Sequence, residues 1–187
     1  MRFLVCMSGA SGSIYGIRLL EILNDLGHEV HLIVSDMAKE IMDYETDMIS
    51  EDLCKFAAVE YDNSDLFSLP ASGSFSVDGM VILPCSMKTL SSVANGYSDK
   101  LISRAALCQL KEGRPLVIVV RETPIDLIGL RNMVAAREAG AVILPANPGF
   151  YHQPKSIDDL IDFVIGKVLD QLKVQHMLKM RWEKTEK

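Results

Sequence analysis

The segment LVCMSGASGSIYG, residues 4 to 16, places Gly9, Gly12, Gly16 and three serines behind a short apolar run. A glycine-rich turn that opens a helix lets backbone N–H groups approach an anion, so the chemistry on offer is phosphate binding. The spacing fits neither G-x-G-x-x-G nor G-x-x-x-x-G-K-[ST], which counts against NAD and against a nucleoside triphosphate. Asp36 stands roughly where a dinucleotide ribose would want an acid, but the glycine spacing still opposes that ligand. A glycine turn kept only for tight strand-to-helix packing is the bland alternative; Ser8 and Ser11, as extra donors, favour the anion.

Arg121 follows the apolar run LVIVV (116–120) and precedes Glu122, so one strand end delivers a cation and a carboxylate able to move a proton. A plain Arg–Glu ion pair explains the same spacing equally well. Arg104 and Lys111 are seven residues apart, nearly one face of a helix and about 10 Å of rise. They can bracket a phosphate, although spacing alone makes them a solvated basic edge. Asp158, Asp159 and Asp162 match the D-D-x-x-D pattern that holds magnesium diphosphate. They follow Ser156 at a helix start, where carboxylates favour the dipole, and no second such motif occurs. We read a capped helix with Asp159 and Asp162 toward water and an apolar stripe of Ile157, Leu160, Ile161, Val164, Val168 and Leu172. Lys167 borders that stripe and either snorkels to water or reaches inward. No metal-ligand cluster and no Ser-His-Asp order emerges, and of the four histidines only His152, beside Tyr151, falls near the expected site.

Positioning these residues takes a regular scaffold. Apolar runs at 3–7, 30–34, 80–84, 116–120 and 141–145 read as buried parallel strands. Helices lie between them, including 12–26 closed by Gly27 and 99–112 opened by Asp99 and closed by Gly113. The alternation predicts an α/β fold with a doubly wound, mostly parallel sheet. Ligands in such sheets sit beyond the carboxyl ends of the strands. There this chain puts Ser8 to Gly12, Ser35 with Asp36, Pro84 to Ser86 with Thr89, Arg121 to Pro124, and Pro145 to Gly149. Taken singly, Ser35 and Ser86 are helix caps; together the five ends are a site.

The chain has 187 residues and 49% hydrophobic content, enough for one cored domain over 1–175 with apolar surface left for self-association, and a helical tail is expected over 176–187. A net charge of -6 argues against nucleic-acid partners. No apolar run approaches a bilayer span and no signal peptide is legible, so a cytoplasmic protein is expected. Cys6, Cys54, Cys85 and Cys108 form no C-x-x-C pair and read as reduced residues.

The segments SGASGSIYGIRLL, GMVILPCSMKTL, RAALCQLKEGRPLVIVVRETP and GAVILPANPGFYHQP resemble, in order and over residues 2 to about 173, the UbiX-type flavin prenyltransferases. The resemblance implies a three-layer αβα Rossmann-like (flavodoxin-like) fold, FMN as bound substrate, dimethylallyl monophosphate as prenyl donor, a homo-oligomer, usually a dodecamer, and prenylated FMN delivered to UbiD-type decarboxylases. It implies FMN contacts at Gly9, Ala10, Ser11, Ser35, Ser86, Met87, Lys88, Thr89 and Arg121. It implies prenyl-phosphate contacts at Arg104, Lys111, Arg121, Tyr151 and Lys167, with Glu45 and Glu122 as acidic partners. Lys167 stands where some members carry arginine, which keeps the charge and loses the planar fork. In that chemistry cations hold the leaving phosphate while the reduced flavin attacks through N5 and closes at C6, and Glu122 or Glu45 removes a proton. An FMN-dependent cysteine decarboxylase is disfavoured, because PCSMKT and PANPGFY replace that group's motifs and Tyr15 stands where its histidine would be. A non-catalytic FMN carrier would need cations for one phosphate, whereas four cationic positions look sufficient for two.

Overall fold

The computed structural model describes residues 1–178. Its strands are β1 (Arg2–Met7), β2 (Glu29–Val34), β3 (Val59–Asp62), β4 (Gly79–Cys85), β5 (Leu116–Val120) and β6 (Val142–Ile143). They form one sheet in the order β3-β2-β1-β4-β5-β6. Each of the five pairings is parallel. The helices are α1 (Ser13–Asp25), α2 (Asp36–Glu45), α3 (Met87–Ala94), α4 (Leu101–Lys111), α5 (Leu127–Glu138) and α6 (Ile157–Gln171). Short 3-10 helices occupy Ser50–Phe56 and Leu69–Ala71.

Alternation along β1 explains the layers. Phe3, Val5 and Met7 join the core under α1, α2 and α6, whereas Leu4 and Cys6 join the core under α3, α4 and α5. Both faces of the sheet are covered, which is why the central strands are unbroken apolar runs rather than alternating ones. The strand order reverses between β1 and β4, and that switch point places the crevice described below.

Local departures from the sequence reading have local causes. VEYD, the edge strand β3, is exposed at both ends and carries two acids, so no apolar run announces it. AVILP is in register with β5 at Val142 and Ile143, and its Leu144 N–H and the Ala146 N–H continue to the Ile118 and Val120 carbonyls at 2.9 Å, whereas the Ala141 N–H closes α5 onto the Ala136 carbonyl at 3.0 Å. Gly27 and Gly113 do end their helices with positive φ. Asp99 does not cap α4: Lys100 is the N-cap residue and makes no side-chain cap bond. Asn63 does that work from the loop after β3, accepting the Leu101 N–H through its carbonyl at 2.8 Å and the Ile102 N–H through Oδ1 at 3.1 Å.

On α6 the buried stripe runs through Ile161, Val164, Ile165, Val168 and Leu169, while Ile157 is exposed. Asp159 closes a capping box with Ser156. Asp162 does not face water alone but holds the Arg18 guanidinium of α1 at 2.8 Å. Residues 174–178 are irregular, and the rest of the expected tail, 179–187, lies outside the described residues.

Gly16 lets α1 sit against the switch point. A Cβ there would lie 2.7 Å from Met7 Cε and 2.9 Å from the Leu83 carbonyl oxygen. Gly16→Ala is therefore expected to cost about 1–3 kcal/mol by overpacking, despite the better helix propensity of alanine. A lowered midpoint in urea at unchanged m-value is the reading that checks it.

Candidate active site

Three adjoining cavities lie along the strand ends. The first, of about 330 Å³, is lined by Gly9, Ser35, Asp36, Met37, Ser86, Lys88, Thr89 and the α4 start. The second, of about 460 Å³, shares Gly9, Met37 and Glu40 with it and continues to Ala10, Ser11, Tyr44, Glu45 and Arg121. The third, of about 280 Å³, shares Arg121 and adds Glu122, Thr123, Pro145 and Asn147. The shared residues make one elongated crevice, polar at one end, apolar around Ala10 and Met37, and charged at the other end.

The polar end is built on hydroxyl groups. Ser8, buried at the end of β1, accepts the Ser86 N–H at 2.8 Å. Ser86 caps α3, its Oγ accepting the Thr89 N–H at 3.3 Å and lying 3.1 Å from Thr89 Oγ1. The Met87 and Lys88 N–H groups are those a helix start leaves without an intrahelical acceptor, so this corner suits an anion. Ser35 caps α2 through the Ala38 N–H at 3.2 Å. Beneath Ser86, burial pushes the Cys85 thiol up to about 12, so it stays protonated and is no nucleophile.

The start of α1 corrects the reading of the glycine loop as a phosphate cradle. Gly12, at φ 105°, is the N-cap and offers no side chain. The anion at that helix start is the chain's own: Glu45 accepts the Gly12 N–H at 2.9 Å and the Ser13 N–H at 3.0 Å. Burial works to raise the Glu45 carboxyl, but hydrogen bonds from Ser11, Ser13 and Gly12 outweigh it and hold the group below the ordinary range. A carboxylate so stabilised is a poor proton acceptor, and Glu45 acts here as a cap. A depressed folded-state pKa gives stabilisation that is present above the unfolded value, near 4.3, and is lost as pH falls through the folded value. Glu45→Gln is expected to lose about 1 kcal/mol or less at pH 7, given its exposure, with the gap to the parent closing in acid. Thermal melts across pH check this. Gly9, Ala10 and Ser11 still line the crevice.

Arg121 and Glu122 are not paired with each other among the described residues. The Arg121 Nε donates to the Ser11 carbonyl at 3.1 Å, tying the end of β5 to the first loop. Glu122 is exposed and accepts the neighbouring Thr123 N–H at 3.1 Å. A guanidinium and a carboxylate thus stand side by side at the mouth.

Other expected contacts lie elsewhere in the protomer. Arg104 donates from Nε to the Ala71 carbonyl at 2.9 Å, and Lys111 pairs with Glu112 at 3.4 Å. Neither lines the crevice. Tyr151 and Lys167 meet around Phe163, with ring centroids 5.5 Å apart for the tyrosine and the ammonium 5.9 Å from the ring. His152 stacks on the same ring at 5.4 Å. The Met87 side chain turns to α5, where it fills the space beside Gly129. Met37, Glu40 and Tyr44 line the crevice from one face of α2, and Asn63 and Lys100 line it from loops, none of them within a recognisable motif.

Residues 1–169 match the family model described as Flavoprotein. A UbiX flavin prenyltransferase from Thauera aromatica is 51% identical over 182 residues, 97% of this chain and 94% of that protein. The crystal structure of AnUbiX (PadA1) in complex with FMN and dimethylallyl pyrophosphate superposes with a TM-score of 0.96 at 43% identity, covering 99% of this chain and 98% of that one. A dodecameric FMN-dependent UbiX-like decarboxylase from Escherichia coli O157:H7 superposes at 0.95 with 40% identity, covering 98% and 100%. A peptidyl-cysteine decarboxylase, 17% identical, shares the fold alone.

Proposed function

The chain belongs to the Flavoprotein family, among its UbiX flavin prenyltransferases, and from that premise we propose that it joins a dimethylallyl group from dimethylallyl monophosphate to N5 and C6 of reduced FMN. The observation that carries the reading is the elongated crevice itself, which runs from a hydroxyl-rich helix start to the Arg121–Glu122 pair. The residues present fit FMN. Ser86, Thr89 and the first turn of α3 suit its phosphate, and a Cβ at Gly9 would fall 2.5 Å from Met37 Cγ, so the glycine keeps that wall thin.

The flavin supplies the nucleophilic ring when bound; the chain supplies placement, charge and a proton acceptor. Arg121 holds negative charge on the departing phosphate as the allylic C–O bond breaks, and does so without proton exchange. Glu122, beside it and not engaged as a cap, serves the proton exchange of ring closure, in which the transferred group's double bond gains a proton as flavin C6 forms its new C–C bond and loses one. Arg104, Lys111, Tyr151 and Lys167 join the donor site from a second copy of the chain, since none lines its own protomer's crevice.

A second copy also fits the exposed surface. Leu127, Ile128, Leu130 and Val134 of α5 face outward, Ile128 with 68% of its surface accessible. Contiguous apolar exposure of this kind marks an interface. A homo-oligomer, with the dodecamer as its form, follows from this reading. Ile128→Glu is expected to reduce the assembly to smaller species in light scattering; an unchanged mass would place the interface elsewhere.

The product is destined for a UbiD-type decarboxylase, and the cytoplasm, which keeps thiols such as the four free cysteines reduced, is the compartment proposed. Release of inorganic phosphate from dimethylallyl monophosphate, dependent on reduced FMN, tests the reaction. Turnover only with the pyrophosphate donor would revise the donor and keep the transferase, while release with neither would reject the reading.

A further inference from the structure

The structure assigns Lys100, held at the crevice rim by the Asn63 clasp, as the cation that selects the phosphorylated flavin. This rests on the reading that the crevice binds FMN. Two helix starts flank the 330 Å³ cavity, those of α3 and α4. They differ in what they offer an anion. At α3 the Ser86 hydroxyl takes the Thr89 N–H alone, whereas Asn63 occupies both Leu101 N and Ile102 N at the start of α4. With those donors taken, the α4 corner contributes positive charge through the Lys100 side chain.

The backbone of Lys100 is anchored for that purpose. Its carbonyl accepts the Ser103 hydroxyl at 2.9 Å and the Arg104 N–H at 3.0 Å. Asn63 ties the same turn to the end of β3, so the lysine sits on a point fixed from two elements. The need for it follows from the cavity's other charges. Asp36, Glu40 and Asp99 line the same space, against Lys88 and Lys100 alone among the lining residues. A phosphate dianion entering there meets three carboxylates, and without Lys100 a single exposed lysine would offset them. Neither lysine takes part in an ion pair among the described residues. Lys100 is close enough to Asp62 to help lower its carboxyl, after the larger effect of hydrogen bonds from Ser64.

The test compares FMN with riboflavin, which lacks the phosphate, by flavin fluorescence titration of the purified protein. Lys100→Gln is expected to weaken FMN about tenfold, the scale of a charge-assisted contact, and to leave riboflavin unchanged. Lys100→Arg is expected to restore most of the loss. Asn63→Ala should lower the FMN-to-riboflavin ratio less, and should add little in the Lys100→Gln background, because it acts as a positioning residue through the lysine. An unchanged ratio in Lys100→Gln, or equal losses for both flavins, overturns the assignment while leaving the parent's FMN selectivity intact. A parent protein that binds neither flavin overturns the assignment together with the function beneath it.

Discussion

Arg121→Met is expected to lower kcat/KM for prenyl transfer by about two to three orders of magnitude, the effect of removing one preorganised donor from developing negative charge. Methionine keeps the length of the stem and loses both the charge and the 3.1 Å bond to the Ser11 carbonyl. Two cavities meet at this side chain, so the loss combines weaker holding of the flavin with weaker stabilisation of the leaving phosphate. Steady-state kinetics on both substrates separates the two, since loss of uniform binding raises KM while loss of transition-state contact lowers kcat. Arg121→Lys should recover only part of the rate, because an ammonium lacks the planar fork. Full activity in Arg121→Met would remove the residue from the reaction.

Glu122→Gln carries the second large effect. The substitution keeps shape and removes the proton acceptor, so product formation is expected to slow by about 10²–10³-fold with FMN affinity held. The side chain is exposed and its described bond is local, to the Thr123 N–H, so the fold should not register the change. The contrast with Glu45 is the informative control. That carboxylate is committed to the Gly12 and Ser13 N–H groups, and Glu45→Gln should move stability more than the rate of ring closure. A Glu122→Gln enzyme with parental rate, beside a Glu45→Gln enzyme that binds flavin normally and stalls, would reverse the two roles.

The scaffold was legible because the four central strands are buried on both faces and announce themselves as LVCM, VHLIV, MVILP and LVIVV. Their carboxyl ends then located the crevice. The edge was not legible: β3 is half-exposed and acidic, and its loop carries Asn63, which caps α4 in place of Asp99. The glycine loop illustrates the limit of local reasoning. Its composition points to a bound phosphate at the start of α1, whereas the carboxylate found there is supplied from the far end of α2 by Glu45, a contact across 33 residues of chain. Arg104, Lys111, Tyr151 and Lys167 show a second limit, since their side chains satisfy neighbours within the protomer and reach the crevice only if another copy supplies them.

The central claim is that this chain makes a carbon–nitrogen and a carbon–carbon bond to flavin rather than merely carrying it. Anaerobic incubation with reduced FMN and dimethylallyl monophosphate, followed by mass measurement of the released flavin, tests it most directly. The account predicts a flavin heavier than FMN by one isoprene unit, formed by the parent and strongly slowed in Arg121→Met. Recovery of unmodified FMN from a protein that binds it tightly would contradict the account and make the chain a carrier.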